Sequence, residues 1–272
     1  MDSYLVYGNP IAQSKSPFIH QMFAQQCQQN IEYDKRCSTE NEFTDEVHRF
    51  IANGGKGANV TAPFKEQAMQ LSDELSVRAK AAGAVNTLSF SNNIIFGDNT
   101  DGVGLVNDLI DNNITLTGKS ILLMGAGGAA RGVIQPLLEQ NPQQLIIVNR
   151  TLEKAKQLIS HFNDERLSAI SFEQTANINV DVIINATSAS LSAKLPPLSV
   201  SAISPSTVCY DMVYGKELTP FLVWCADNNA SKVIDGLGML VGQAAESFYQ
   251  WRGVRPDPKP VLLALREMLD KS

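Results

Sequence analysis

The run Ile121-Leu122-Leu123-Met124-Gly125-Ala126-Gly127-Gly128-Ala129-Ala130-Arg131 constrains the fold of this chain more than any other segment. Its apolar half reads as a strand buried on both faces, its glycines as a tight turn, and the alanines as the start of a helix. A glycine turn between strand and helix is the mark of a dinucleotide-binding βαβ unit. Gly125 permits the turn, Gly127 lets backbone approach a pyrophosphate, and Ala130 allows close helix–strand packing. The pyrophosphate would lie on free N–H groups at the positive end of the helix.

The sequence around this run fits. Short β-rich runs at Ser120–Met124, Leu145–Val148, Ser168–Ile170, Asp181–Ile184, Val208–Met212 and Lys232–Ile234 alternate with other segments. Two of those segments, Ala129–Gln140 and Thr151–Phe162, carry helical patterns, with Thr151 an N-cap candidate and Pro136 interrupting the first. Such alternation predicts an α/β fold with a Rossmann-type, doubly wound parallel sheet over residues 104–238. Residues 1–103 are a looser α/β mixture. Strands are expected at Ser3–Tyr7, Ile31–Cys37 and Ala58–Val60, and a hairpin at Thr87–Phe90 and Ile94–Phe96. Ser16-Pro17 reads as a helix N-cap followed by proline, and Pro63 opens another helix. A helical tail, broken at Gly253 to Pro256, is expected to return to this part, so that 1–103 with 239–272 form a substrate domain. The two domains would leave a cleft between them.

Composition removes several function classes. Apolar residues are 44% and charged residues 18% of the 272, enough for sizeable cores. The formal charge of −6, without a basic tail, speaks against a nucleic-acid partner. No stretch approaches the roughly 20 apolar residues of a membrane helix, and Met1-Asp2-Ser3-Tyr4 does not open a secretory signal. Four scattered cysteines and three scattered histidines (His20, His48, His161) make no metal-binding pattern. The expectation is a cytoplasmic protein with no metal.

Cofactor choice is read after the second strand of the doubly wound sheet. NAD binders place Asp or Glu there for the ribose 2′-hydroxyl. This chain has Asn149-Arg150-Thr151, with Lys154 one helical turn on. A guanidinium can clamp a 2′-phosphate, so NADP(H) is predicted over NAD(H).

Four polar segments early in the chain sit at ends of elements: Ser14-Lys15-Ser16-Pro17, Asn59 to Lys65, Gly83 to Thr87, and Gly97 to Gly102. Singly, each has a plain explanation as a cap, strand start or turn. Together they supply hydroxyls, an amide, an ammonium and a carboxylate, a set suited to a polyhydroxylated acid.

With Asn185-Ala186-Thr187-Ser188, Tyr210-Asp211-Met212, Asp235-Gly236-Leu237-Gly238-Met239 and the glycine turn, these segments closely resemble the shikimate dehydrogenase family. The likeness runs from Tyr4 to Gln243. It implies reversible reduction of 3-dehydroshikimate to shikimate with NADPH, a step toward aromatic amino acids. It implies that Ser14, Ser16 and Tyr214 receive the substrate carboxylate, and that Thr61, Lys65, Asn86, Asp101 and Gln243 surround the ring hydroxyls. Lys65 would move the proton, with Asp101 as its partner. Ala126, Gly127, Gly128 and Ala129 would meet the phosphates, and Asn149, Arg150, Thr151 and Lys154 the adenosine 2′-phosphate. Thr187, Met212, Gly236 and Met239 would lie near the nicotinamide and its ribose.

The chain departs from the family pattern at Gln13, where histidine is common, and at Ala62, where a branched residue is usual. Thr187-Ser188-Ala189-Ser190 also lacks the glycine often found last. Two other readings stay open: an enzyme that accepts quinate as well, and a non-catalytic NADP(H)-binding module. A monomer or homodimer is expected.

Overall fold

A computed structural model of the chain describes residues 1–192 and 194–271. It divides into two compact units, Met1–Gly104 with Leu240–Ala264, and Leu105–Met239 with Leu265–Ser272.

The first unit is built on β1 (Asp2–Gly8), α1 (Ser16–Gln26), β2 (Ile31–Cys37), α2 (Phe43–Ala52), β3 (Gly55–Val60), α3 (Lys65–Leu71), β4 (Glu74–Leu75), α4 (Val77–Ala82), β5 (Thr87–Ser91) and β6 (Ile94–Asp98). Its mixed sheet runs β2-β1-β3-β5-β6-β4. Alternation along β1 divides the side chains between two cores. Leu5 and Tyr7 pack with Phe43, Val60, Phe64 and Leu88, while Tyr4 and Val6 pack with Ile11, Tyr33 and Trp251.

Two expected helix starts move by a residue or two. Ser16 is the first residue of α1, and Lys15 takes the N-cap position without a side-chain cap bond. The helix expected from Pro63 begins at Lys65, after a cis Ala62–Pro63 bond and the buried Phe64. Asp101, which reads as part of a turn, opens α5 (Asp101–Asp111).

In the second unit, β7 (Ser120–Met124), α6 (Gly128–Glu139), β8 (Gln144–Val148), α7 (Leu152–Ser160), β9 (Leu167–Ile170), β10 (Val182–Asn185), β11 (Val208–Asp211), α8 (Pro220–Asp227) and β12 (Lys232–Asp235) follow in turn. All six strands are parallel, in the order β12-β11-β10-β7-β8-β9. This is the strand order of a Rossmann sheet read from its far edge. Alternate residues feed two cores: Ile121, Leu123, Leu145, Ile147 and Ile184 on one face, Leu122, Met124, Ile146, Val148 and Ile183 on the other. That two-sided burial is why the strands are nearly continuous Ile, Leu and Val. α6 runs through Pro136. Short 3-10 turns, Glu173–Asn177 and Val200–Ala202, fall in the connections before and after β10.

Two helices complete the chain, α9 (Leu237–Arg252) and α10 (Pro258–Asp270). The end of α10 groups with the second unit, where Arg266 holds Asp235 at 2.7 and 2.8 Å and donates to the Gly215 carbonyl.

Candidate active site

In the first unit, three chain segments bring a lysine and an aspartate together. Lys65 is the first residue of α3, and its carbonyl accepts from the Val85 N–H at 2.9 Å, which ties it to the strand that Asn86 precedes. Asp101 opens α5, its N–H bonded to the Asn99 side chain. Lys65 Nζ stands 2.5 Å from Asp101 Oδ2, while Asn86 Nδ2 donates to Asp101 Oδ1 at 2.7 Å. The side chains of Lys65 and Asp101 are 31% and 18% exposed, so a ligand can reach the pair. An ammonium beside a carboxylate, one able to release a proton and the other to stabilise its charged form, is the equipment of a general acid–base step.

Around this pair Asn86, Thr87 and Thr100 are buried and Gln243 is half-buried. Asn86 spends both N–H bonds on Thr100 Oγ1 and Asp101 Oδ1, and its carbonyl accepts from the Thr100 N–H and Thr87 Oγ1. Gln243, on α9, lies 3.5 Å from Thr100 Oγ1 and bonds its own helix at the Leu240 carbonyl. Ser14 Oγ accepts from the Ser16 N–H. The loop that carries these serines is joined to the Thr61 segment, since the Asn9 N–H donates to the Ala62 carbonyl at 3.1 Å. Thr61 N–H in turn bonds the Tyr7 carbonyl at the end of β1. Ser14, Ser16, Thr61, Lys65, Asn86, Asp101 and Gln243 thus all belong to the first unit, and Tyr214 to the second. Tyr214 is half-buried, and burial together with the Asp235 charge pushes its hydroxyl above the usual tyrosine range.

Sequence reasoning placed Asn59, Thr87 and Thr100 within the converging polar segments without giving them a role, and it missed Ser247. All four are buried.

In the second unit the glycine turn follows β7. Gly125 has φ +114°, a conformation that L side chains rarely adopt. A Cβ there would lie 3.3 Å from the Ala186 carbonyl oxygen and the Thr187 methyl. Gly127 flanks α6 in extended conformation, and a Cβ on Gly127 or Gly128 would meet no atom within 4 Å. Gly127, Gly128 and Ala129 are exposed, and Ala126 half-buried. The first N–H groups of α6 lack intrahelical acceptors, so the turn is an open cradle for an anionic group.

At the end of β8, Arg150, Thr151 and Lys154 are exposed and Asn149 is half-buried, its amide donating to the Thr151 carbonyl. Thr151 flanks α7 in extended conformation but makes no side-chain cap. The carboxylate nearest in sequence, Glu153, is paired with Lys156 at 2.9 Å. This basic corner and the open turn together fit a dinucleotide that carries an extra phosphate.

Thr187, Met212, Gly236 and Met239 lie after β10, β11 and β12 in the same unit. Thr187 bonds Asn185 Oδ1 through both N–H and hydroxyl. A Cβ on Gly236 would stand 2.1 Å from the Met212 carbonyl oxygen, so only glycine lets these segments touch. Met212 and Met239 pack against the core. Ser190, where the family often has glycine, accepts from Asn185 Nδ2 and donates to Asp211 Oδ2 at 2.6 Å, which satisfies its buried hydroxyl. Among the described residues no group of three His, Cys, Asp or Glu side chains could hold a metal ion.

Three family models match the chain. They describe a shikimate dehydrogenase substrate binding domain at residues 6–88, a shikimate/quinate 5-dehydrogenase at 108–194, and a shikimate 5′-dehydrogenase C-terminal domain at 236–266. The shikimate dehydrogenase (NADP(+)) of Colwellia psychrerythraea is 60% identical over 98% of each chain. That of Photobacterium profundum is 56% identical over the full length of both. The crystal structure of shikimate 5-dehydrogenase from Thermus thermophilus, in complex with NADP(H) and shikimate, superposes with a TM-score of 0.89 at 30% identity, covering 99% of this chain and 100% of that one.

Proposed function

The chain belongs to the shikimate dehydrogenase family, and from that premise we propose that Lys65, partnered by Asp101, carries the proton as it interconverts 3-dehydroshikimate and shikimate with NADP(H). The observation that carries this reading is the 2.5 Å contact between Lys65 Nζ and Asp101 Oδ2, accessible on one side and braced by Asn86 on the other.

In the reducing direction NADPH supplies a hydride to the carbonyl carbon. The carbonyl π pair moves onto oxygen, and Lys65 donates a proton there to give the alcohol. Asp101 stabilises the ammonium before transfer, and solvent returns a proton to the amine afterwards. In the oxidising direction neutral Lys65 removes the hydroxyl proton. Ser14, Ser16 and Tyr214 bind the substrate carboxylate by hydrogen bonds, while Thr61, Asn86 and Gln243 border the ring hydroxyls. With Gly125 making the turn, its own N–H spent on the Val148 carbonyl, the N–H groups from Ala126 to Ala129 receive the pyrophosphate, and Asn149, Arg150, Thr151 and Lys154 the 2′-phosphate. Thr187, Met212, Gly236 and Met239 line the nicotinamide end.

No helix among the described residues is long and apolar enough to cross a membrane. We assign the enzyme to the cytoplasm, acting as a monomer or homodimer.

Steady-state turnover of shikimate and of quinate against both cofactors tests the reaction. Shikimate with NADP+ gives the highest kcat/KM; equal rates with quinate assign the chain to the broader activity. Lys65→Ala lowers kcat by about 10²–10⁴ while the protein still folds and binds shikimate. A wild-type kcat in that variant removes Lys65 from the role.

A further inference from the structure

Behind the Lys65–Asp101 pair lies a run of buried hydrogen bonds that reaches α9 and β2. It begins at Tyr33, whose hydroxyl donates to Asn59 Oδ1 at 2.7 Å. The two protons of Asn59 Nδ2 face three acceptors, the Asn86 backbone carbonyl, Thr87 Oγ1 and Ser247 Oγ, at 3.2, 3.2 and 3.0 Å. Thr87 Oγ1 donates to Asn86 Oδ1 at 2.8 Å and lies 2.8 Å from Ser247 Oγ. Asn59, Asn86, Thr87, Thr100 and Ser247 are all between 0% and 6% exposed, so water does not replace a lost partner.

Donor and acceptor chemistry fixes both amides in this run. A backbone carbonyl only accepts, so the Asn86 carbonyl fixes Asn59 with its NH2 turned inward. The Asn59 carbonyl then faces Tyr33, which must donate. Asn59 Nδ2 only donates, and Thr87 Oγ1 is one of the acceptors within its reach, while the Thr87 hydroxyl donates to Asn86 Oδ1 at 2.8 Å. Asn86 Oδ1 faces the Thr100 N–H and the hydroxyls of Thr87 and Thr100, at 2.9, 2.8 and 3.2 Å. Its NH2 is thereby aimed at Asp101 Oδ1, and Asp101 Oδ2 is left facing Lys65.

We propose that Thr87 is a positioning residue for proton transfer: its hydroxyl, oriented by Asn59 and Ser247, locks the Asn86 amide and so sets where Asp101 holds the Lys65 ammonium. Thr87 touches neither Lys65 nor Asp101 by hydrogen bond; it acts through Asn86. This rests on the assignment of proton transfer to Lys65. The geometry matters because displacements of about 1 Å in a catalytic group can cost on the order of 10² in rate.

Thr87→Val keeps the β-branched shape that suits the start of β5 and removes only the hydroxyl. It is expected to lower kcat for shikimate oxidation by about 10-fold or more, with KM for NADP+ unchanged. Thr87→Ser, which retains the hydroxyl, is expected to recover kcat to within a few-fold of wild type. In a Lys65→Ala background Thr87→Val is expected to add almost nothing, because the group it positions is gone. If Thr87→Val does not fold, Ser247→Ala carries the same test from the other side of the hydroxyl. Three results overturn the proposal: wild-type kcat in folded Thr87→Val or Ser247→Ala, failure of serine to rescue, or an equal loss with and without Lys65. Should Lys65→Ala itself keep wild-type kcat, the fault lies in the proton-transfer assignment and not in Thr87.

Discussion

Arg150 is exposed at the end of β8, and the carboxylate nearest it in sequence, Glu153, is already paired with Lys156. Hydrogen bonds to charged groups contribute about 1.5–3 kcal/mol, so Arg150→Asp is expected to lower kcat/KM for NADPH by roughly 10–10²-fold. Its effect with NADH is expected to be much smaller, since no 2′-phosphate is there to be repelled. Parallel NADPH and NADH titrations read the ratio, and an equal fall with both cofactors rejects the assignment. A different residue carries stability. Asp98 is buried, which by itself pushes its carboxyl up, but the Arg78 guanidinium holds it below the usual aspartate value. Arg78 Nε and Nη2 reach the two Asp98 oxygens at 2.8 and 2.5 Å, and Ser76 Oγ and the Asn99 N–H add two more donors. Arg78→Met strands that buried charge and is expected to cost about 3–5 kcal/mol in urea unfolding at pH 7. A loss below about 1 kcal/mol, the range of an exposed pair, contradicts it.

Glycine has two separate jobs in the turn between β7 and α6, and single methyl groups separate them. Gly125 carries φ +114° with its would-be Cβ at 3.3 Å from neighbours, so Gly125→Ala strains the fold by about 1–3 kcal/mol and weakens NADP+ together. Gly127 is extended and unobstructed, so Gly127→Ala leaves the melting temperature unchanged. Its methyl nevertheless occupies the approach to the helix end, and KM for NADP+ is expected to rise about 10-fold, a cost of roughly one charge-assisted hydrogen bond. Thermal melts and cofactor titrations of the two variants check the contrast; a matched drop in stability would show one shared role. This unit was the legible part of the sequence, because strands buried on both faces announce themselves as apolar runs. The hairpin was legible too: Asn92 and Asn93 both take positive φ, at 53° and 61°, as a two-residue turn requires. Hidden elements were short or polar, such as the two-residue β4 and the six-residue α4 held by the Ser76 cap and left-handed Gly83. Asp101-Gly102 reads as a turn, yet it starts a helix whose Gly104 backbone lies so near α9 that a Cβ on Gly242 would stand 3.1 Å from it. The bracing of the candidate site was the least visible, since Thr87 and Ser247 meet across 160 positions of sequence.

The stability of the whole chain in acid should turn on one histidine that no ligand-binding argument invokes. His20 is fully buried, stacked on Tyr33 at 4.2 Å and ringed by Phe23, Phe248 and Trp251. Neither ring nitrogen has a hydrogen-bond partner. Burial lowers its pKa from 6.5 to about 3, against a smaller opposing influence of Asn59. The folded form therefore keeps His20 neutral while the unfolded chain binds a proton below pH 6.5. The stabilising contribution is complete above 6.5 and falls as pH drops from there toward 3, by about 1.4 kcal/mol per unit. Asp98 has a depressed carboxyl, so its contribution is present above the unfolded value of 3.8 and is lost only below it. Asp108 has the opposite sign: burial raises its carboxyl, so its protonated form offsets part of the loss at low pH. Between pH 6.5 and 4.5 His20 is thus expected to dominate the slope. His20→Phe preserves an aromatic ring against Tyr33 and removes the proton site. Urea unfolding at pH 7, 5.5 and 4.5, followed by Trp251 fluorescence in a Trp224→Phe background, should show a loss of about 3 kcal/mol for the parent. The phenylalanine variant should be nearly flat over the same range. Parallel slopes in the two proteins would mean that another group titrates there, and that the buried imidazole is not what limits the fold in acid.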